Sequence, residues 1–386
     1  MAPIRNTSIQ VLLTVGPQRL RLKLDGAAHS FEVPFDAGAF DPRLLASDIR
    51  PNAMRSQGEV LWSAAFPESL GVLLSEAAEQ AADLGVSLTL RIVPAPDLPP
   101  HLRWLGWETA YEPRTDFLAL KKKWSLVRGV DPFATFRDAP ADGAGILVVT
   151  LRQSTEVDHE VAEIRRVFAG AGSVDVRGAP DEVALIPLLE SHAAPIVHVI
   201  GQGRGESLLL PDGDLVSARK IASTIAANPA IRLVVLSAAW SEMVADAIAR
   251  TAHTTVLGHR NMVRDAHARA VTETFYHHFL DGIPADVALT ETRRALDRQF
   301  PGERAWTSAI LLTGWPPPAL VPPDDTTRRP AEPADRVNAD DLIVLLHATN
   351  RDRLNQLLAI ADWSPVRRQL QEAERALLPR PVEPKP

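Results

Sequence analysis

Two stretches of the chain end in residues that could do chemistry. In Ile196-Val197-His198-Val199-Ile200-Gly201-Gln202-Gly203-Arg204-Gly205 an apolar run enters a glycine-rich turn that holds a polar side chain between two glycines. In Leu233-Val234-Val235-Leu236-Ser237-Ala238-Ala239-Trp240-Ser241 a second apolar run ends in small residues before a helical pattern. If both are parallel strands, their carboxyl ends are where an open α/β sheet places its ligands. Ser237 or Ser241 with His198 would then be the material of a hydrolase, the imidazole taking the hydroxyl proton as the oxygen attacks. Each residue also has a plainer reading. His198 alternates with Val197 and Val199 as a hydrogen-bonded core histidine does, and Ser241 stands where it could cap the helix beginning near Glu242. Ser237 shares a face with Ala239 only if the strand stays regular.

Other chemistry is easier to set aside. Gly201-x-Gly203-x-Gly205 resembles a dinucleotide loop, but Ser207 to Asp214 reads as a hairpin and not as the helix that would aim its amides at a pyrophosphate. His253, His259, His267, His277 and His278 form no His-Glu-x-x-His pattern, and His277 and His278 point to different sides of one helix, so neither a metal nor a cofactor is expected. Glu160, Glu163, Arg165 and Arg166 read as the solvated face of a helix. The chain has 0 Cys, which excludes disulfides, zinc ribbons, iron–sulfur clusters and any thiol nucleophile. With 41 Lys+Arg against 48 Asp+Glu, and no dense basic run beyond Lys121-Lys122-Lys123, nucleic-acid binding is not indicated. The apolar runs are far shorter than the roughly 20 residues that cross a bilayer, and Met-Ala-Pro-Ile-Arg carries no signal core, so a cytoplasmic protein without a membrane role is expected.

The elements that must position these strand ends fall into four units. Residues 1–130 read as an α+β region: a hairpin of Ile9 to Val15 and Arg19 to Asp25, a helix over 68–84, a strand Ser87 to Val93 and a strand candidate Asp116 to Leu120. After a connector around 129–144, residues 145–315 alternate short β-branched runs with amphipathic helices. Strands are expected at 146–151, 174–176, 196–200, 232–237, 254–257 and 306–312. The helices are expected at 158–169, 180–191, 217–227, 242–251, 265–280 and 284–299, with a hairpin around 208–216. The alternation calls for an α/β fold, a mostly parallel sheet with helices on both faces. Residues 316–338, with Pro316, Pro317, Pro318, Pro322, Pro323, Pro330 and Pro333, read as a semi-rigid linker, and 339–379 as a small helical tail that docks on the core or on a partner.

In order and spacing the chain resembles the caspase-like CHAT family of peptidases over about residues 9 to 314. Its His-x-x-x-His-Gly segment corresponds to His198 to Gly203, and its Leu-Ser-Ala-Cys segment to Leu236-Ser237-Ala238-Ala239. Upstream, Leu105-Gly106-Trp107-Glu108 and Phe117-Leu118-Ala119-Leu120 are similar to the Pro-Trp-Glu and Phe-Leu-Ala-Leu stretches of such domains. Downstream, Phe275 to Gly282 is similar to the family's Phe-Tyr helix, followed by Ala288-Leu289, Ala295-Leu296 and a strand led by Trp306.

The resemblance implies that the second histidine of the first segment is a general base and the cysteine of the second a nucleophile. Here those positions are Gln202 and Ala239. A methyl group has no lone pair to offer and an amide has no nitrogen basic enough to take a proton at neutral pH. A single laboratory substitution would account for Ala239 but not for Gln202. The expectation is therefore an inactive pseudo-peptidase whose remnant groove, around His198, Gly203, Ser237 and Trp240, holds a peptide strand against the sheet edge. It would bind protein as an adaptor or regulatory subunit in a bacterial defence or signalling system, its partner an active protease, ATPase or pore-former encoded nearby. The alternative is a hydrolase using Ser237 or Ser241 with His198.

Overall fold

The computed structural model describes residues 8–314 except 17–18, 25–29, 36–50, 67, 84–85, 99–102, 114, 132–135, 138–144 and 261. The expected linker and helical tail lie outside the described residues. Residues 8–128 supply β1 (Ser8–Val15), β2 (Arg19–Leu24), β3 (Ser30–Pro34), α1 (Pro51–Ala65), α2 (Glu68–Asp83), β4 (Ser87–Pro94) and β5 (Trp124–Arg128). From residue 146 onward the order is β6 (Ile146–Thr150), α3 (Thr155–Val167), β7 (Val174–Gly178), α4 (Glu182–Ser191) and β8 (Ile196–Gly203). The hairpin β9 (Ser207–Leu209) and β10 (Leu215–Ser217) comes next, then α5 (Ala218–Ala227), β11 (Leu233–Ala239), α6 (Glu242–Ala252), β12 (Thr255–His259), α7 (Asp265–Leu280), α8 (Ala285–Gln299) and β13 (Ala309–Leu312).

The strands form one sheet. Its order is β10-β9-β8-β11-β12-β13-β5-β4-β1-β2-β3, with β6 beside β8 and β7 outside β6. Strands β7, β6, β8, β11 and β12 run parallel, as alternation with helices requires, while β13 returns antiparallel to β12. The amino-terminal strands continue this sheet through the pairing of Leu312 on β13 with Arg128 on β5.

Period-2 alternation sends side chains to opposite faces, and both faces are covered. Val197, Val199, Val234 and Leu236 pack with Leu185 and Leu189 of α4, Ile221 and Ile225 of α5, and Val244 and Ile248 of α6. Ile196, Ile200, Leu233 and Val235 pack with Val157 and Ile164 of α3, Val271 and Phe275 of α7, and Leu289 and Leu296 of α8. A third cluster joins Leu13, Leu20, Leu88 and Leu90 to Leu61 of α1 and Leu74 of α2. Three core helices start on side-chain caps, Ser154 accepting from the Val157 amide, Asp181 from Ala184 and Ser217 from Lys220. The Ser154 cap is why the helix expected at 158 begins three residues earlier.

One expected strand is not a strand, and another is only half of one. Asp116 to Leu120 makes a single bridge, Tyr111 to Phe117, and then a 3₁₀ turn over Leu118–Leu120 whose first amide donates to the Ala110 carbonyl. A short apolar run of this kind is buried either way, and period alone does not separate the two. In the run expected at 306–312, residues Ala305–Ser308 form a helical turn, in which the Ser308 hydroxyl donates to the Ala305 carbonyl, and only 309–312 is extended. Strands β3 and β5 and helix α1 have no counterpart among the elements expected from sequence.

Across the β5–β13 junction lies a buried ion cluster. Arg128 grips Glu108 with both arms of its guanidinium, Nε to Oε1 at 2.9 Å and Nη2 to Oε2 at 2.6 Å. Arg260 Nη1 stands 3.8 Å and Arg293 Nη2 3.9 Å from the same carboxylate. Arg293 also donates to the carbonyls of Leu126 and Ala309, one on each side of the junction. Burial opposes the Glu108 charge, but the three guanidiniums outweigh it and hold the pKa at about 2. Gly106 completes the arrangement, since a Cβ there would stand 2.7 Å from Arg260 Nη1.

Glu108→Gln leaves three cations facing a neutral amide and should destabilise the fold by about 3–5 kcal/mol, the usual cost of removing one partner from a buried pair. Urea unfolding of the two proteins at pH 7 measures this; a loss under about 1 kcal/mol would show that the cluster does not hold the junction.

Candidate functional site

The two sequence-derived strand ends meet. In the β8–β11 ladder Ala239 is the Cα partner of Gln202, and Ser237 of Ile200. By alternation Gln202 and Ala239 share the face of Ile196, His198 and Ile200, and so side with α3 and α7. The Gln202 side chain is exposed and Ala239 half-buried, so the pair opens to solvent at the carboxyl end of the sheet.

Gly203 and Trp240 shape the turns that leave the two strands. A Cβ on Gly203 would lie 2.4 Å from the Trp240 carbonyl oxygen and 2.6 Å from that of Ala239, so only glycine lets the two strand ends close up here. Trp240 is held at φ 59, a left-handed conformation rare for a bulky residue, and its indole is left 37% exposed. Together with Gln202, Gly203, Arg204, Gly205, Leu209, Glu242 and Met243 it lines an open cavity of about 410 Å³.

Ser241 does not cap the helix as expected. Its side chain makes no cap bond; instead its hydroxyl accepts from the His259 amide at 3.0 Å, and its own amide donates to the His259 carbonyl. The residue is fully buried as a clasp between the ends of β11 and β12.

Beneath the cleft His198 is sealed. Its Nδ1 lies 3.1 Å from the Tyr276 hydroxyl and its Nε2 3.2 Å from Glu160 Oε1, with no exposure to solvent. Burial, and then the Glu160 charge, push the Tyr276 pKa well up, so its hydroxyl can donate to Nδ1 while Nε2–H faces the carboxylate. Burial opposes the Glu160 charge, yet hydrogen bonding from His198 and Thr272 holds its pKa below the usual carboxylate range. Ser237 Oγ is buried beside this group without meeting the geometry of a full hydrogen bond. Nearby, burial drives the pKa of His259 down to about 4, and its ring reaches Ser308 Oγ at 3.3 Å.

This geometry lends the serine–histidine alternative no support. Both ring nitrogens of His198 are engaged, Ser237 faces a carboxylate in the core, Ser241 bonds to β12, and all three residues are buried in this structure. Nor does the groove lie at a sheet edge. Strand β8 has β11 along one side and β6 followed by β9 along the other, so no free edge beside Gln202 can take a peptide strand. Glu160, expected on a solvated face, is buried and paired, because α7 packs over the side of α3 that carries it. The wall residues Leu209, Glu242 and Met243 are not marked in sequence; the one available signal for Glu242 is an acid opening the helix directly after a strand end. Among the described residues no group of three or more acidic or histidine side chains could hold a metal, and no helix is long and apolar enough to cross a membrane.

Residues 57–314 match the family model of the CHAT domain. The chain belongs to that family. No curated protein matches the sequence. Since CHAT domains are caspase-like and this chain has 0 Cys, the family's cysteine–histidine dyad cannot be present.

The geometry of the strand ends can be checked by stability measurements. Gly203→Ala forces the β8 and β11 ends apart and should cost about 1–3 kcal/mol, read as a lower urea midpoint. His259 is neutral in the fold but binds a proton in the unfolded chain between its ordinary 6.5 and about 4. Its share of stability is therefore present at pH 7 and lost as pH falls through that window, on the order of 3 kcal/mol. Urea midpoints across that range should fall less steeply for His259→Gln than for the unaltered protein; parallel curves would refute the assignment.

Proposed function

We propose that this CHAT domain is a catalytically inactive pseudo-peptidase that works by binding protein, as an adaptor or regulatory subunit in a bacterial defence or signalling system. The observation that carries the reading is the register of Ala239 against Gln202 at an open strand end. Two side chains face each other where a nucleophile and a base would have to meet, and neither can form a bond to a carbonyl or accept a proton. A dyad acts as a unit, so the loss of both members removes the chemical step while the cavity beside them remains. The partner is a protein, and an active protease, ATPase or pore-former encoded beside this chain is the kind expected.

The purified protein, incubated with a broad fluorogenic peptide library and a fluorophosphonate probe, should release no fluorophore and take no label. Co-expressed with its gene neighbours, it should co-purify with one of them. Turnover that Ser237→Ala or Gln202→Ala abolishes would end this reading.

A further inference from the structure

The sheet ends at β7, which pairs with β6 on one side and, among the described residues, with no strand on the other. Two bonds to β6 fix which way its backbone groups point: the Ile146 amide donates to the Ser173 carbonyl, and the Ala179 amide to the Thr150 carbonyl. Along a strand the N–H and C=O of one residue point to one side and those of the next to the other. Ser173, Asp175, Arg177 and Ala179 therefore face β6, and the amides and carbonyls of Val174, Val176 and Gly178 face outward. Side chains alternate too. Val174 and Val176 pack in part against the core on the α3 face, so Asp175 and Arg177 stand together on the opposite face. There Arg177 Nε meets Asp175 Oδ1 at 2.8 Å, and His192 Nε2 lies 3.1 Å from Asp175 Oδ2. The Asp175 and Arg177 side chains are 35% and 60% exposed. An edge of this kind is a template for another strand.

We propose that β7 is the docking edge for a second copy of this chain, the two β7 strands pairing antiparallel about a two-fold axis at Val176. The segment Val174-Asp175-Val176-Arg177-Gly178 is self-complementary about that axis. Val176 meets Val176 of the second copy and Val174 meets its Gly178, in pairs whose outward amides and carbonyls exchange about six hydrogen bonds. Asp175 then lies opposite Arg177 of the second copy on the same face, as a non-hydrogen-bonded pair, the kind that brings side chains closer. The two-fold repeats this ion pair in reverse. Moving the axis by one residue either way sets Asp175 against Asp175 or Arg177 against Arg177, so charge selects the register. Strand β3, at the other end of the sheet, lacks the pattern: its one charge, Glu32, is bonded by Arg19 and Arg21, and Pro34 has no amide to give. Since β7, β6, β8 and β11 run parallel within each copy, the two Gln202–Ala239 clefts open at opposite ends of the joined sheet.

Sedimentation velocity of the full chain over a range of concentrations should show a monomer–dimer equilibrium that shifts toward monomer as salt is raised. Val176→Pro removes an outward amide and no bond of the β6 ladder, so it should keep the circular dichroism of the unaltered protein and sediment as a monomer. Asp175→Arg alone and Arg177→Asp alone each set like charges opposite one another across the axis, and each should lower dimer affinity at least tenfold. Mixed in equal amounts, these two variants should form a heterodimer with nearly the original affinity, because every opposed pair is again an acid against a base. A variant that had lost its fold could not be rescued by such mixing. A chain that sediments as a monomer at every concentration, as it would if another segment or partner covers this edge, would overturn the proposal. So would a dimer whose affinity Val176→Pro and both charge reversals leave unchanged, or charge variants that gain nothing when mixed. None of these outcomes bears on the reading of the domain as catalytically inactive.

Discussion

A carboxylate without water is the constraint on which this molecule is built. Glu108 is fully buried and faces three guanidiniums, and those guanidiniums come from β5, from the end of β12 and from α8. Charges taken out of water are tolerable only when paired and hydrogen-bonded, so none of these elements can move alone without stranding an ion. Apolar contact would accept many alignments of β13 beside β5. The forked Arg128–Glu108 pair, with Arg293 donating to carbonyls on both strands, accepts very few.

The same cluster reaches the cleft. Arg260 is the last link, shared between Glu108 inside and Glu242 at the cavity wall, and its own pKa is lowered by burial and by Arg128 beside it. On the other side of the sheet ends, the polar side chains of Ser237, His198, Tyr276 and Thr272 surround Glu160 and join α3 and α7 to β8 and β11. The strand ends are therefore held by one polar network beneath and one beside. Such networks hold the strand ends together in a chain that has no cysteine for the family's dyad.

Much of the fold was legible because its signals are local. Short β-branched runs, helical stripes and caps such as Asp181 and Ser217 act within a few residues, and most elements from residue 146 onward obey them. Failures came where a segment is apolar on every side or its partner is remote. Trp124–Arg128 is buried along its whole length and shows no alternation, and Leu118–Leu120 is a buried turn that a strand would mimic. In the candidate site, the two strand ends stood out because glycine and small residues mark them, and the resemblance to the CHAT family singled out Gln202 and Ala239 there. Leu209 and Met243 carry no such mark, being ordinary apolar residues until the β9 turn and α6 bring them to the same cavity.

By itself the sequence determined what cannot happen: without a cysteine anywhere in the chain there is no thiolate, whatever the fold. It also determined the alternation of strands and helices, since hydrophobic period is a property of neighbours along the chain. Only the tertiary structure decided that Ala239 stands against Gln202, that His198 is closed off by Tyr276 and Glu160, and that Ser241 turns to β12. Those outcomes depend on the register of nonadjacent strands and on competition between hydrogen-bond partners. Both are settled by the burial of the whole sheet and not by any single segment.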